Sequence, residues 1–305
     1  VLTLSILALA LIVGGINPRF LAQKNITDIL NNASYIAVAA LGMSLVIISG
    51  NIDISVGAQV SLIASIGGLL AINGADPIVT YTVPILANVF VGAVNGFLVA
   101  FLRVPAILAT LAMTSILRGL LILWTGGDVL YNLPDWFKLA QQRVFDIPIP
   151  IIIMVVLVII MAWYMRYTAQ GRAIYAIGGN KEAARLSGIN ERMVIMRVFL
   201  INGLMVGIAG MMFATQYNVI QATALTGVEL LVITSSVVGG VSILGGMGTV
   251  IGAALGAVLM HVIPSAMNLA NISVYWQQAV QGVLILFTVL VDIFRRRRQY
   301  YSGKV

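Results

Sequence analysis

The chain has 305 residues, of which 60% are hydrophobic and only 9% are charged, and its formal net charge is +7. Because a soluble domain keeps about a quarter of its residues charged, this composition excludes a soluble fold and indicates an all-α integral membrane protein. The excess of basic residues then reports cytoplasmic loops rather than a surface for nucleic acid. Cysteine is absent and His261 is the single histidine, which excludes thiolate or histidine-based metal sites. The chain begins at Val1, so we expect that a short N-terminal piece precedes it.

Uncharged apolar stretches predict about ten membrane-spanning helices, since one crossing takes about 20 residues. The longest stretch without Asp, Glu, Lys or Arg, 230–291, must turn twice, because a straight helix of that length would cross about three bilayer cores. The whole chain, 1–305, is then a single transmembrane domain. The predicted spans are 1–15, 29–49, 55–73, 80–102, 105–124, 148–166, 198–217, 229–243, 246–263 and 275–292.

Basic residues set the predicted orientation of these spans. They concentrate in 166–197 and in the tail 293–305, and the positive-inside rule places both segments in the cytoplasm. Four spans separate the two segments and six precede the first, so both termini are predicted to be cytoplasmic. The connection 125–147 then lies outside. It is long for a connection, which leaves open a docking segment or an amphipathic helix at the membrane interface.

Two glycine-interrupted junctions between spans, 48–57 and 238–248, point to transport. Such segments at matching places in two halves of a chain are a feature of transporters. Asp53 is either a cap for the following helix or a group that lines the path. Gly240 is expected at a close helix contact. The candidate residues for a substrate path or gate are Asn51, Asp53, Ser55, Asn95, Gly239, Gly240 and Gly245.

The segment 166–197 should contain a short capped helix. Asn180 is suited to cap its start, Glu182 would lie near its positive end, and Gly188 can close it. Lys181 and Arg185 are four residues apart and would share one face. Two interpretations remain: a solvated linker, or a docking surface for a cytoplasmic partner.

Arg118, within the predicted span 105–124, also has two interpretations. Its side chain could reach the outer headgroups, or it could pair with Glu229, which we expect at the outer start of the span 229–243.

Three ordered motifs resemble those of the ribose-type ABC importer permeases. They are Ser-Gly-Asn-Ile-Asp-Ile-Ser-Val-Gly at 49–57, the basic segment 171–189, and Val-Gly-Gly-Val-Ser-Ile-Leu-Gly-Gly-Met-Gly at 238–248. The resemblance runs from about Asn17 to Asp292. Asn51 departs from the Gly of most relatives, and with Leu-Trp-Thr-Gly-Gly at 123–127 it is similar to the autoinducer-2 permeases, with the rhamnose permeases close.

The resemblance implies a permease subunit in the bacterial inner membrane that carries a monosaccharide or an autoinducer-2-like ligand. It implies a second permease, identical or paralogous, a cytoplasmic ATPase subunit, and a periplasmic binding protein that docks on the outer side. The chain has no Gly-x-x-x-x-Gly-Lys-Ser/Thr loop, so it is not expected to be an enzyme or to hold a cofactor, and ATP would bind the partner. The implied ATPase-coupling residues are Gly179, Asn180, Lys181, Glu182, Ala184, Arg185 and Gly188.

The competing hypothesis is an ion-coupled secondary transporter of a small polar solute. That mechanism calls for buried acidic groups or an ion site near the membrane midplane. Asp53 is the one candidate for such a group.

Overall fold

The computed structural model describes residues 2–221 and 225–273, and beyond them 275–277, 279–280, 282–284, 286–287 and 290. Within residues 2–221 and 225–273 the chain forms eleven α-helices and four two-residue strands, and the described residues between 275 and 290 are also helical. The helices are α1 (Leu2–Ile16), α2 (Gln23–Ile48), α3 (Val56–Ile72), α4 (Pro77–Ala100), α5 (Ala106–Thr125), α6 (Ile149–Tyr167), α7 (Ala169–Gly179), α8 (Lys181–Leu186), α9 (Glu191–Gln216), α10 (Val228–Val238) and α11 (Val250–Leu269). The strands are β1 (Val129–Leu130), β2 (Arg143–Val144), β3 (Ile147–Pro148) and β4 (Ile220–Gln221).

Each of the first nine predicted spans coincides with one helix, and α7 and α8 form within the predicted cytoplasmic segment. Six helices, α2, α4, α5, α6, α9 and α11, are long and apolar enough to cross a membrane, whereas α1, α3 and α10 are apolar but shorter. With 11 residues, α10 reaches only about half of the way across a bilayer core. The predicted span 229–243 is therefore too long. The span 275–292 lies partly, and the tail 293–305 wholly, outside the described residues, so the count of ten stays a prediction.

The central helix of the bundle is α2, which packs against α6, α9, α10 and α11. Its most apolar window is 89% buried, although its mean hydropathy of 1.6 is below the 2.4 of α6, whose window is only 22% buried. Lipid is as apolar as leucine, so close packing of small residues decides which helix lies inside a membrane bundle. Buried small residues of α2 include Ala37, Ala40 and Gly42.

The connections between the helices meet at two ends of the bundle. At one end β1 pairs antiparallel with β4, the hydroxyl of Tyr81 donates to the carbonyl oxygen of Phe137 at 3.1 Å, and Gln216 donates to Asn32 at 2.8 Å. At the other end, the turns after α2 and α10 meet α7. These are the two sets of connections that the charge pattern assigns to opposite sides of the membrane.

The segment 125–147, which is predicted to lie outside and is called the outer segment below, contains no α-helix beyond the last residue of α5. It folds into β1, two 3-10 turns at Asp135–Phe137 and Leu139–Gln141, and the β2–β3 ribbon. The hypothesis of an amphipathic interfacial helix is therefore wrong. Phe137 is fully buried beside Gly67 of α3 and stacks on Tyr81 of α4, and it anchors this segment to the bundle.

Candidate transport and coupling site

Three backbone segments meet without intervening side chains at the end of α7. The nitrogen of Gly246 donates to the carbonyl oxygen of Ile48 at 2.8 Å. Gly178 packs directly on this hydrogen bond: a Cβ at Gly178 would overlap the Ile48 oxygen and lie 2.6 Å from the Gly246 nitrogen. Gly245 and Gly246 have φ of +82° and +75°, which favours glycine. We call this contact of Gly178 with Ile48 and Gly246 the glycine junction.

A side chain reinforces the glycine junction. The hydroxyl of Tyr175, one turn before Gly178 on α7, donates to the carbonyl oxygen of Gly248 at 2.8 Å. Burial raises the pKa of Tyr175, so the phenol stays protonated and remains a donor near neutral pH. The predicted cytoplasmic segment is thus joined to both glycine-rich turns that the sequence singled out.

The two glycines at the end of α10 have different roles. A Cβ at Gly239 would overlap the carbonyl of Gly252 and lie 2.7 Å from the nitrogen of Ala253, so Gly239 allows α10 and α11 to approach closely. Gly240 has a φ of +92° and open space where its Cβ would be. The expectation of a close contact at Gly240 is wrong, because that residue forms the turn after the helix.

Asp53 lies in a fully buried polar network. One carboxylate oxygen accepts from the backbone nitrogen of Ser55 at 2.9 Å and from its hydroxyl at 2.5 Å. The other accepts from Gln59 on α3 at 3.1 Å and from Asn202 on α9 at 2.8 Å. Asn95 on α4 donates to the Ser55 hydroxyl oxygen at 3.0 Å. The network therefore joins the start of α3 to α4 and α9 inside the bundle.

The contacts of Asp53 resemble those of a helix cap, and a path-lining role for its carboxylate stays a prediction. Its carboxylate accepts from the nitrogen of Ser55 just before α3 begins, as a helix-capping group does. The groups that hydrogen-bond to this carboxylate are N–H or O–H donors, and the amide oxygens of Asn95 and Asn202 in the same network are buried without a described hydrogen-bond partner. The arrangement fits a buried carboxylate that anchors three helices.

Two asparagines lie differently from the sequence-based expectation. Asn51 is only partly buried and donates to the hydroxyl of Ser49 at 3.1 Å, so it lies outside the network. Asn88, which the sequence analysis did not single out, donates to Gln59 at 3.0 Å and to the carbonyl of Gly203 at 2.7 Å. Its position seven residues before Asn95, on the same face of α4, is the signal that would have found it.

Arg118 and Glu229 form an ion pair between α5 and α10, with 3.1 Å between the guanidinium nitrogen and the carboxylate oxygen. The Arg118 side chain is 37% exposed and that of Glu229 12%. The second Glu229 oxygen packs on Gly57 in the first turn of α3, where the helix N-terminus favours an anion. The pairing hypothesis is confirmed. Glu229 lies beside the start of α3, not at the outer end of a span.

The predicted capped helix is α8. The side chain of Asn180 accepts from the backbone nitrogen of Ala183 at 3.0 Å, which confirms Asn180 as the cap. Gly188 has a φ of +81° in the turn that follows. Gly179, the last residue of α7, has open space where its Cβ would be.

The exposed face of α8 differs from the expected one. Lys181 pairs with Glu191 of α9 at 3.3 Å, so it braces α8 against its own chain. Ala184 is 4% exposed and faces inward, whereas Leu186 is 86% exposed. Arg185 and Glu182 are exposed beside it. The surface available to a partner is therefore centred on Leu186 and not on Ala184.

The outer segment presents a different surface. Lys138 and Asp135 form an ion pair at 2.9 Å, and this hydrogen bond, together with the lysine charge, lowers the pKa of Asp135. Phe145 is 95% exposed at the tip of the β2–β3 ribbon.

Residues 25–289 match the model of a protein family described as the permease component of the branched-chain amino acid transport system. The chain belongs to this family. It is 35% identical over 291 residues to the autoinducer 2 import system permease protein LsrC of Salmonella typhi, a match that covers 95% of this chain and 84% of LsrC. It is 36% identical over 297 residues to the ribose import permease protein RbsC of Escherichia coli strain K12, covering 95% of this chain and 92% of RbsC. No solved structure matches.

Proposed function

We propose that the chain is the transmembrane permease subunit of an ATP-binding-cassette importer in the bacterial inner membrane. It moves a monosaccharide or an autoinducer-2-like ligand from a periplasmic binding protein into the cytoplasm. The support is its similarity, over nearly its whole length, to permeases named for autoinducer 2 and ribose import. The chain spans the membrane about ten times with both termini in the cytoplasm, and two permeases, identical or paralogous, form the path.

The glycine junction supplies the mechanical link in this proposal. An ATPase subunit binds the exposed face of α8 around Leu186, and closure of the ATPase dimer displaces α8 and the adjoining α7. Because Gly178 rests on the backbone of both Ile48 and Gly246, the displacement reaches both glycine-rich turns together. Packed backbones without flexible side chains behave as a rigid contact and transmit a small shift.

The polar network around Asp53 holds the start of α3 in a fixed position relative to α4 and α9 during this displacement. Asp53, Ser55 and Asn95 hold the start of α3 against α4 and α9, so the turn before α3 moves as part of a rigid unit. Asn51, Gly239, Gly240 and Gly245 lie in or beside the turns that shift. In this proposal Asp53, Ser55 and Asn95 position the gate. The turns that contain Asn51 and the three glycines form it.

The β2–β3 ribbon and α8 offer a matched experiment, because Phe145 and Leu186 are strongly exposed apolar side chains at opposite ends of the bundle. Leu186→Asp should abolish co-purification of the ATPase subunit and binding-protein-stimulated ATP hydrolysis, since it places a charge at the centre of the contact. Phe145→Asp introduces the same charge at the other end and should leave ATPase binding intact while weakening the docking of the binding protein. Normal ATPase binding by Leu186→Asp contradicts the assignment of α8.

An ion-coupled secondary transporter remains the alternative. It would carry out uptake in vesicles that lack ATP but have a proton or sodium gradient. The four hydrogen bonds that the Asp53 carboxylate accepts disfavour it, because a coupling cation bound there would have to displace these donors. Uptake that requires ATP and the ATPase subunit supports the importer.

A further inference from the structure

Arg197 is an exposed cation in a helix that is long and apolar enough to cross a membrane. It lies six residues after the start of α9, or about 9 Å along the helix axis. Among the described residues, no carboxylate lies within 4.0 Å of its guanidinium. The predicted span 198–217 begins at the next residue, so Arg197 lies at the cytoplasmic membrane surface, where anionic lipid headgroups are found.

A cavity of about 310 Å³ lies beside Arg197, between the end of α6, α7 and the first turns of α9. Its floor is apolar and includes Ile174, Met193 and Val194. Its polar groups are Tyr164, Gln170, Asn190 and Arg197, and the Asn190 oxygen already accepts from the backbone nitrogen of Met193 at 3.2 Å.

The hydroxyl of Tyr164 donates to the Gln170 oxygen at 2.9 Å, which fixes both side chains at the cavity. The cavity is thus amphipathic, with an apolar floor and a cation beside fixed hydrogen-bonding groups. A sugar would instead call for polar groups on most of the lining.

The charge around the cavity is positive. Between Asp146 and Glu182 the sequence contains no acidic residue, and Glu191, which follows Asn190 of the lining, is paired with Lys181 at 3.3 Å. Arg166 and Arg172 lie at the same end of the bundle, and neither forms an ion pair within the described residues. Basic groups at the cytoplasmic membrane surface attract anionic lipid headgroups.

We propose that this cavity binds an anionic phospholipid of the cytoplasmic leaflet. The lipid phosphate pairs with Arg197 and accepts hydrogen bonds from the Gln170 amide, while the first part of an acyl chain covers Met193 and Val194. The proposal uses the orientation given under the proposed function, but neither its ligand nor its ATPase partner. Because α7 forms one wall of the cavity, the lipid also supports the helix that carries the glycine junction.

The test measures lipid preference on the full-length chain, purified in a neutral detergent and stripped of lipid. Phosphatidylglycerol should stabilise it against heat at concentrations about fivefold lower than phosphatidylcholine with the same acyl chains, the preference expected of one basic contact at the membrane surface. Arg197→Gln should abolish this preference. Arg192→Gln removes an equal charge from the exposed face of the same helix, away from the cavity, and should retain it.

Native mass spectrometry of the wild-type chain gives a second measurement that does not depend on how the variants fold. After exposure to an equal mixture of the two lipids, retained phosphatidylglycerol should predominate. Equal retention, or equal losses of preference in Arg197→Gln and Arg192→Gln, overturns the proposal.

Two further outcomes would also overturn it. Equal stabilisation by inorganic phosphate would mean that the cavity takes a free anion and not a lipid. Loss of ATPase binding in Arg197→Gln with an unchanged lipid preference would assign the surface to the ATPase. A failure of the importer function would leave the lipid preference unchanged, so the two proposals fail separately.

Discussion

Gly178 and Gly179 are adjacent in sequence but differ in their surroundings, so they provide a matched pair for testing the glycine junction. Alanine at 178 places a methyl group against the Ile48 oxygen and the Gly246 nitrogen, both backbone atoms that no rotamer change can move away. Alanine at 179 projects into open space. Both glycines lie in the last turn of α7, so the change in helix propensity is similar for the two variants.

The expected cost of Gly178→Ala follows from the contacts that it disrupts. Overpacking of a close contact costs about 1–3 kcal/mol. Separation of the two backbones also weakens the 2.8 Å hydrogen bond from Gly246 to Ile48, which contributes about 1 kcal/mol. The total of about 2–4 kcal/mol should lower the melting temperature by roughly 5 °C in a chain of this length. Gly179→Ala should be neutral or stabilising by up to about 1 kcal/mol.

The assay combines thermal unfolding in detergent with uptake in vesicles that contain the ATPase subunit. Gly178→Ala should retain ATPase binding, because the exposed face of α8 is unchanged, and yet lose most ATP-driven uptake. Gly179→Ala should match the wild type in both measurements. The reasoning is refuted if Gly178→Ala melts and transports like the wild type, or if the two variants are impaired equally.

Three further predictions concern the orientation, the buried network and the ion pair. Single cysteines in place of Ser187 and Asn132 should react with impermeant reagents from opposite faces of the membrane, and labelling from one face would disprove the orientation. Asp53→Asn should lower thermal stability by about 2–3 kcal/mol, because an amide group replaces an acceptor of four hydrogen bonds; unchanged stability with lost uptake would instead mean that this carboxylate contacts the ligand. Glu229→Gln and Arg118→Gln should each destabilise the chain, with a coupling energy on the order of 1–3 kcal/mol in the double variant, and purely additive effects would show that the pair contributes nothing.

The positions of most helices could be predicted from the sequence because their cause is local. A run of about 20 apolar residues must hydrogen-bond its own backbone in lipid, so it forms a helix whatever its neighbours are. The cap at Asn180 and the turn at Gly188 are equally local, since each depends on a few adjacent residues. The three transport motifs likewise indicated the family from the residue order alone.

Other features depend on what lies opposite in space, and only the tertiary structure decided them. Gly239 and Gly240 are neighbours in sequence, but only Gly239 faces another backbone. Ala184 was expected to face a partner and instead packs inside its own chain. Gly178 lies within the basic segment that the sequence singled out, but nothing local distinguishes it from Gly179. Its importance comes from two backbone segments more than 65 residues away on either side, which meet it only once α2, α7 and the turn after α10 have packed together.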